Sequence, residues 1–152
     1  MELHDTSMKG ISPATNRIPV VILGVPFDNL TLDEATECIF DLIDRSYTDG
    51  KSRLVCMADR NCIDNALSGG FKRTSLELLA ILRKADAVIA EHMPAVRMSR
   101  FLGPALKECI MGGDFISCIA REALRRRKSV YILGSSAGSV KNAWAVLEDR
   151  FP

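Results

Sequence analysis

Two titratable side chains, Glu91 and His92, stand side by side immediately after the short apolar run Ala87-Val88-Ile89-Ala90. A carboxylate and an imidazole are the side chains that take and give protons near neutral pH, so this pair is the first candidate for acid–base chemistry. The competing reading is an ordinary solvated pair at a strand end. A second polar group, Asp59-Arg60-Asn61, follows a similar run, Arg53-Leu54-Val55-Cys56-Met57, and here Asp59 and Arg60 could also simply pair with each other. The third candidate is a turn of small residues, Gly134-Ser135-Ser136-Ala137-Gly138-Ser139, between an apolar run and a helical pattern. Backbone N–H groups at such a turn and the dipole of the helix it opens favour an anion, which makes Gly134, Ser135, Ser136 and Gly138 candidates to hold a phosphate. A plain tight turn is the alternative, because Gly-x-x-x-Gly falls short of the dinucleotide fingerprint and no acidic residue about 20 positions later is present to hold a ribose. Asp114 opens another helical pattern and reads either as a substrate contact or as a helix cap.

The elements that must position these groups follow from periodicity. Short runs rich in β-branched residues at 19–25, 53–57, 86–90 and 129–133 read as buried parallel strands. Helical patterns lie between them, so the expected fold is α/β, a Rossmann-like parallel sheet with helices on both faces. In such sheets ligands sit in the crevice beyond the carboxyl ends of the strands, where Asp59, Glu91 and Gly134 all fall. Pro26, which cannot donate to a ladder, is expected to turn the chain out of the first strand. Thr31-Leu32-Asp33-Glu34 has the form of a capping box and predicts a helix that frays near Tyr47 to Gly50. Further helices are predicted over 61–67, 74–84 and 94–101, from Asp114 to the basic run Arg125-Arg126-Arg127-Lys128, and from Val140 to Arg150. The last should turn Val140, Ala143, Trp144 and Leu147 inward. The basic run reads as a dipole complement on a solvated face, and 106–113 as irregular.

Composition bounds the function classes. A chain of 152 residues with 47% hydrophobic residues suits one core, so residues 17–152 are expected to form a single domain behind a flexible arm at 1–16. Twenty basic against 19 acidic residues leave a net charge of +1, which supplies no global field toward nucleic acid. Five cysteines without a C-x-x-C pair, and only two histidines, read as reduced structural thiols rather than a zinc site. No run approaches the roughly 20 apolar residues of a spanning helix, and the polar start lacks the apolar region of a signal peptide. A cytoplasmic protein, at most peripheral on a membrane, is expected. An unfinished sheet edge would favour a homo-oligomer.

Four blocks in order carry a wider likeness: L-G-V-P-F-D-N-L-T-L-D-E-A at Leu23 to Ala35, A-D-A-V-I-A-E-H-M-P at Ala85 to Pro94, Gly112-Gly113-Asp114, and V-Y-I-L-G-S-S-A-G at Val130 to Gly138. With them the chain resembles the WecG/TagA/CpsF family of bacterial glycosyltransferases, glycosyltransferase family 26. The resemblance implies transfer, with inversion and without a bound metal or cofactor, of an N-acetylmannosamine-type or related sugar. The donor would be a UDP-sugar and the acceptor an undecaprenyl-diphosphate-linked lipid at the inner membrane face, in surface polysaccharide or teichoic acid synthesis. It implies Glu91 as general base with His92 beside it, and donor contacts at Asp59, Asp114 and the Gly134–Gly138 turn.

Three departures accompany the match. The family reads T-A-N-P where this chain has Met57-Ala58-Asp59-Arg60, P-D-G where it has Ala90-Glu91-His92, and E-R-h-x-G where it has Glu108-Cys109-Ile110-Met111-Gly112. Relatives also continue through a basic C-terminal part that this chain is expected to lack. A catalytically degenerate nucleotide-sugar-binding or interaction module of the same fold is therefore the alternative function.

Overall fold

The computed structural model describes residues 18–59, 61, 73–91, 93–102 and 104–151. The expected arm at 1–16, the helix expected over most of 61–67, and the side chains of Arg60 and His92 lie outside them. The chain divides into two compact units, Met1–Ile110 and Met111–Pro152.

The first unit begins with a hairpin. Strands β1 (Val20–Ile22) and β2 (Val25–Phe27) pair antiparallel, Val20 opposite Phe27 and Ile22 opposite Val25. Leu23 and Gly24 between them have φ of 53° and 85°, the doubly left-handed conformation whose twist suits a two-residue hairpin loop. The expected single parallel strand over 19–25 is thus corrected: the chain reverses at Leu23-Gly24, not at Pro26. Pro26 lies inside β2 because it faces Val21 at the pair where neither residue bonds across the ladder, so its missing N–H costs nothing there.

Thr31 then caps α1 (Leu32–Asp49). Its hydroxyl accepts from the Glu34 N–H at 3.3 Å while the Glu34 carboxylate accepts from the Thr31 N–H at 2.8 Å, the expected capping box. Gly50 at φ 69° ends the helix in the left-handed conformation that glycine adopts without strain. Strand β3 (Val55–Ala58) follows, then α2 (Arg73–Lys84), β4 (Ala87–Ala90) and α3 (Met93–Leu102). β3 and β4 are parallel and in register, Val55 opposite Ala87 and Ala58 opposite Ala90. Every residue of β4 is buried, as its unbroken apolar sequence predicts. The core gathers Ile22, Val25 and Phe27 of the hairpin with Val88 and Ala90 of β4, closed by Leu82 of α2 and Val96 of α3.

The second unit holds α4 (Gly112–Arg125) and α5 (Ala137–Arg150). Residues 128–134 between them join no ladder, and Tyr131 and Leu133 are 88% and 86% exposed. The fourth parallel strand expected at 129–133 is therefore corrected to an unpaired segment: among its described residues this unit contains no second strand to pair with. Among the described residues the result is a mixed α/β chain with two two-stranded sheets, one antiparallel and one parallel, where four parallel strands were expected.

Candidate functional site

The carboxyl ends of β3 and β4 meet as the parallel register requires. The Glu91 N–H donates to the Ala58 carbonyl at 3.2 Å, which extends the ladder one residue past β4 and sets half-buried Glu91 on the strand end next to half-buried Asp59. The Asn61 amide donates to the Asp59 carboxylate at 3.1 Å. Two of the predicted residues, Asp59 and Glu91, are thus brought together on one sheet edge.

What holds that edge was not anticipated. Along a parallel strand alternate residues face alternate neighbours; Glu91 turns to β3, while Val88 and Ala90 turn to the other side. There the Asp28 N–H donates to the Val88 carbonyl at 2.8 Å and the Asp28 carboxylate accepts from the Val88 N–H at 2.9 Å. The Ile110 N–H donates to the Ala90 carbonyl at 3.0 Å. Asp28 thereby replaces a neighbouring strand with one residue, using its own amide and its own carboxylate as a bracket. Asp86 repeats the device at the start of β3, bonding both the carbonyl and the N–H of Leu54 at 2.8 Å.

The loop 104–110 that brings Ile110 to β4 is fastened to the start of α1. Asn29 donates to the Ala105 carbonyl at 3.1 Å and accepts from the Lys107 N–H at 2.7 Å, Lys107 Nζ meets both Glu34 oxygens at 2.7 and 2.8 Å, and Glu108 accepts from the Leu32 N–H at 2.9 Å. The loop in turn sets Cys109 near Glu91. Burial raises the Cys109 thiol above its ordinary value, and the charges of Glu91 and Glu108 raise it further, so the thiol stays protonated and a poor nucleophile. Cys38, Cys56, Cys109 and Cys118 are in no disulfide.

The remaining candidates belong to the second unit. Ser136 caps α5, its hydroxyl accepting from the Ser139 N–H at 3.2 Å. Gly138 lies inside the first helical turn, not in the preceding loop as expected. Gly134 is held in close approach: a Cβ there would come within 2.6 Å of Val140 Cγ2. Val130 to Trp144 line an open groove of about 570 Å³ along which Gly134, Ser135 and Ser136 sit. No residue of α5 is buried, so Val140, Ala143, Trp144 and Leu147 do not form the expected inward face. Asp114 is exposed, third in α4, whose N-cap is Met111 without a side-chain cap; the cap reading of Asp114 is corrected.

The profile of the Glycosyl transferase WecG/TagA/CpsF family matches residues 20–152, a span that contains the Asp28 bracket, the Asp59 and Glu91 edge and the Gly134 turn. The chain belongs to the WecG/TagA/CpsF glycosyl transferase family. A search of curated proteins returned no match. As a WecG/TagA/CpsF glycosyltransferase the chain gives its D-N-L-T-L-D-E block a physical meaning: Asp28 brackets β4, Asn29 and Glu34 hold the loop 104–110, and Thr31 caps α1. The signal was present in the polar residues of that block. The partners of Asp28, Asn29 and Glu34 in β4 and the loop 104–110, 60 to 78 positions away, could not be read from spacing. No described helix is long and apolar enough to cross a membrane.

Proposed function

We propose that this chain transfers an N-acetylmannosamine-type or related sugar from a UDP donor to an undecaprenyl-diphosphate-linked acceptor at the inner membrane face. Glu91 acts as general base. Its carboxylate takes the proton of the acceptor hydroxyl, the oxygen forms a bond to the sugar's anomeric carbon from the face opposite the phosphate, and the bond to UDP breaks with its electron pair leaving on the diphosphate. The configuration inverts in one displacement, without metal or cofactor. His92 adjoins the base in sequence and shares its proton traffic. The observation that carries this reading is the position of Glu91, half-buried on the carboxyl edge of β4 beside Asp59. The βαβ run of β3, α2 and β4 supports a Rossmann-like plan behind that edge.

In the second unit, the start of α5 is assigned to the donor diphosphate. The N–H groups of its first turn, the helix dipole and the glycine that keeps the turn close support this role, and the groove beside it is within the size range of small-molecule sites. A Cβ at Gly138 meets nothing within 4 Å, so Gly138→Val should fold and weaken UDP binding; unchanged affinity would remove this turn from the donor site. Asp59 and Asp114 are assigned to polar contacts with the donor sugar.

A second reading, a nucleotide-sugar-binding module without turnover, draws on two features of the same edge. Glutamate puts its carboxylate one methylene farther out than the family's aspartate, and misplacement by about 1 Å can cost on the order of a hundredfold in rate. Cys109 stands where the family has an arginine suited to phosphate. The deciding experiment measures transfer from UDP-sugars to a lipid-diphosphate acceptor by the parent, Glu91→Gln and Glu91→Asp. Gln should abolish turnover with UDP binding intact, and Asp should keep or raise it. Equal rates in parent and Gln variant would remove Glu91 from the mechanism, while UDP binding without turnover in all three would select the module.

A further inference from the structure

We infer that Asp28 is a positioning residue for Glu91, acting through β4 and touching no substrate; the inference rests on the reading of Glu91 as base. Glu91 has to hold its carboxylate against an acceptor hydroxyl, and its backbone is located by two things. One is the bond of its own N–H to Ala58 on the β3 side. The other is the anchoring of β4 on its opposite side, where the groups offered by Val88 and Ala90 are met by Asp28 and Ile110. Asp28 supplies two of those three bonds from a site that is 6% exposed. A buried backbone N–H that donates to a fixed side-chain oxygen is held in a directional bond, and its loss leaves that amide unpaired.

The geometry favours a role in aim over a role in bulk stability alone. Val88 is three residues before Glu91, and the strand between them is buried at every residue, so a shift at Val88 is carried along a stiff, close-packed segment to the strand end. Asp28 itself directly follows β2, whose Val25 and Phe27 are fully buried, so the bracket is fixed to the core at its own base. Asp86 is the internal control. It makes the same two bonds with Leu54, and meets Arg53 at 3.5 Å, at the amino-terminal ends of β3 and β4, five residues before Glu91 and at the opposite end of β4 from it. Loss of either bracket loosens the sheet, but only the loss of Asp28 frees the end that carries the base.

The test uses the full chain with Asp28→Ala, Asp28→Asn and Asp86→Ala, each made in the parent and in Glu91→Gln. Asn keeps a carbonyl oxygen where the carboxylate accepts from Val88, so it should hold kcat within about fivefold, while Ala should lower kcat on the order of tenfold to a hundredfold with donor KM little changed. Asp86→Ala should leave kcat near the parent value. In Glu91→Gln, where there is no base left to aim, Asp28→Ala should lower no further any rate that is still measurable. Amide hydrogen exchange supplies a readout independent of turnover: Asp28→Ala, or Asp28→Asn should Ala not fold, should speed exchange at Val88 and Glu91 more than at Leu54. Parent-like kcat in folded Asp28→Ala, an equal loss in the Glu91→Gln background, or exchange raised uniformly over the unit would each overturn the inference. Failure of the base reading is separately visible as full activity in Glu91→Gln alone.

Discussion

Ala87–Ala90 and the segment from Ser129 to Leu133 have similar apolar, β-branched sequences and reach opposite states. In the first, Val88 offers its N–H and carbonyl to Asp28, Ala90 offers its carbonyl to Ile110, and β3 covers the other side. In the second, the backbone joins no ladder, and Tyr131 and Leu133 lie open. Hydrophobicity sets which residues seek burial, but a strand exists only where its backbone groups find partners. In the first unit those partners include a single aspartate, Asp28, that takes the place of a strand.

The largest expected effect therefore comes from removing a bracket. Asp28→Ala leaves the buried N–H of Val88 unpaired, and an unsatisfied buried amide points to a cost of about 2–3 kcal/mol. Asp86→Ala removes the corresponding carboxylate bond to Leu54 and the contact with Arg53, while the backbone N–H bond remains, at a partly exposed site where water can substitute, so about 1 kcal/mol is expected. Urea unfolding of the two variants measures the difference. Equal losses would show that burial does not set the value of the bracket.

The second unit should break at a different kind of point. At Gly134 an added methyl would overlap Val140 Cγ2, and forced overpacking costs about 1–3 kcal/mol. Gly138 is exposed within α5 with open space around it, so Gly138→Ala should stabilise the helix by roughly 0.5–1 kcal/mol. Thermal melts of both variants, with amide exchange over α5 to localise the change, distinguish steric contact from conformational freedom. A stabilised Gly134→Ala would refute the close approach.

The division between what the sequence disclosed and what it hid follows the range of the interactions. Helix α1 was legible because Thr31, Glu34 and Gly50 act within a few residues of the chain they cap. Strand β4 was legible because it is apolar throughout, and Glu91 and Asp59 followed as the residues beyond two strand ends. Pro26 misled because its missing N–H falls at a pair that needs none, which depends on a hairpin register set by Leu23. Asp28 was passed over as a turn residue because its partner is Val88. The fourth strand failed for the complementary reason: the pattern at 129–133 is that of a strand, but pairing is a property of a neighbour and not of the pattern. His92, central to the expected chemistry, lies outside the described residues.

The hairpin offers a sharper version of the comparison, with a smaller effect. Leu23 adopts φ 53°, where a side chain other than glycine or asparagine crowds its own carbonyl. Leu23 is 41% exposed and gives up little burial when replaced. Leu23→Asn makes the Asn-Gly pair suited to this turn and should stabilise the first unit by about 0.5–1 kcal/mol. If the bracket rather than the turn fixes the hairpin, the gain should persist in Asp28→Ala without restoring what that change removed. Full rescue of Asp28→Ala by Leu23→Asn, read from urea midpoints, would transfer the credit for locating β2 from Asp28 to the turn.

The smallest effect concerns how the second unit holds charge. Glu122 in α4 accepts from Arg125 Nε at 2.8 Å and also bonds Arg126, so two members of the basic run are paired on their own helix. Those hydrogen bonds, with the positive charges behind them, lower the Glu122 carboxyl from 4.5 to about 2. A carboxyl lowered by folding stabilises the folded state above its unfolded value, and that contribution fades as pH falls from about 4.5 through about 2. The groups are at the surface, so the contribution to stability should be slight and sensitive to salt, which at 1 M shortens the screening length to about 3 Å. The Asp28 bracket, being buried, should resist the same salt. A carboxyl NMR titration should show Glu122 moving toward 4.5 in Arg126→Ala and, less fully, in 1 M salt. A Glu122 value near 4.5 in the parent at low salt would mean that the two arginines point into water, and that the second unit lacks even this local counterpart of the brackets in the first.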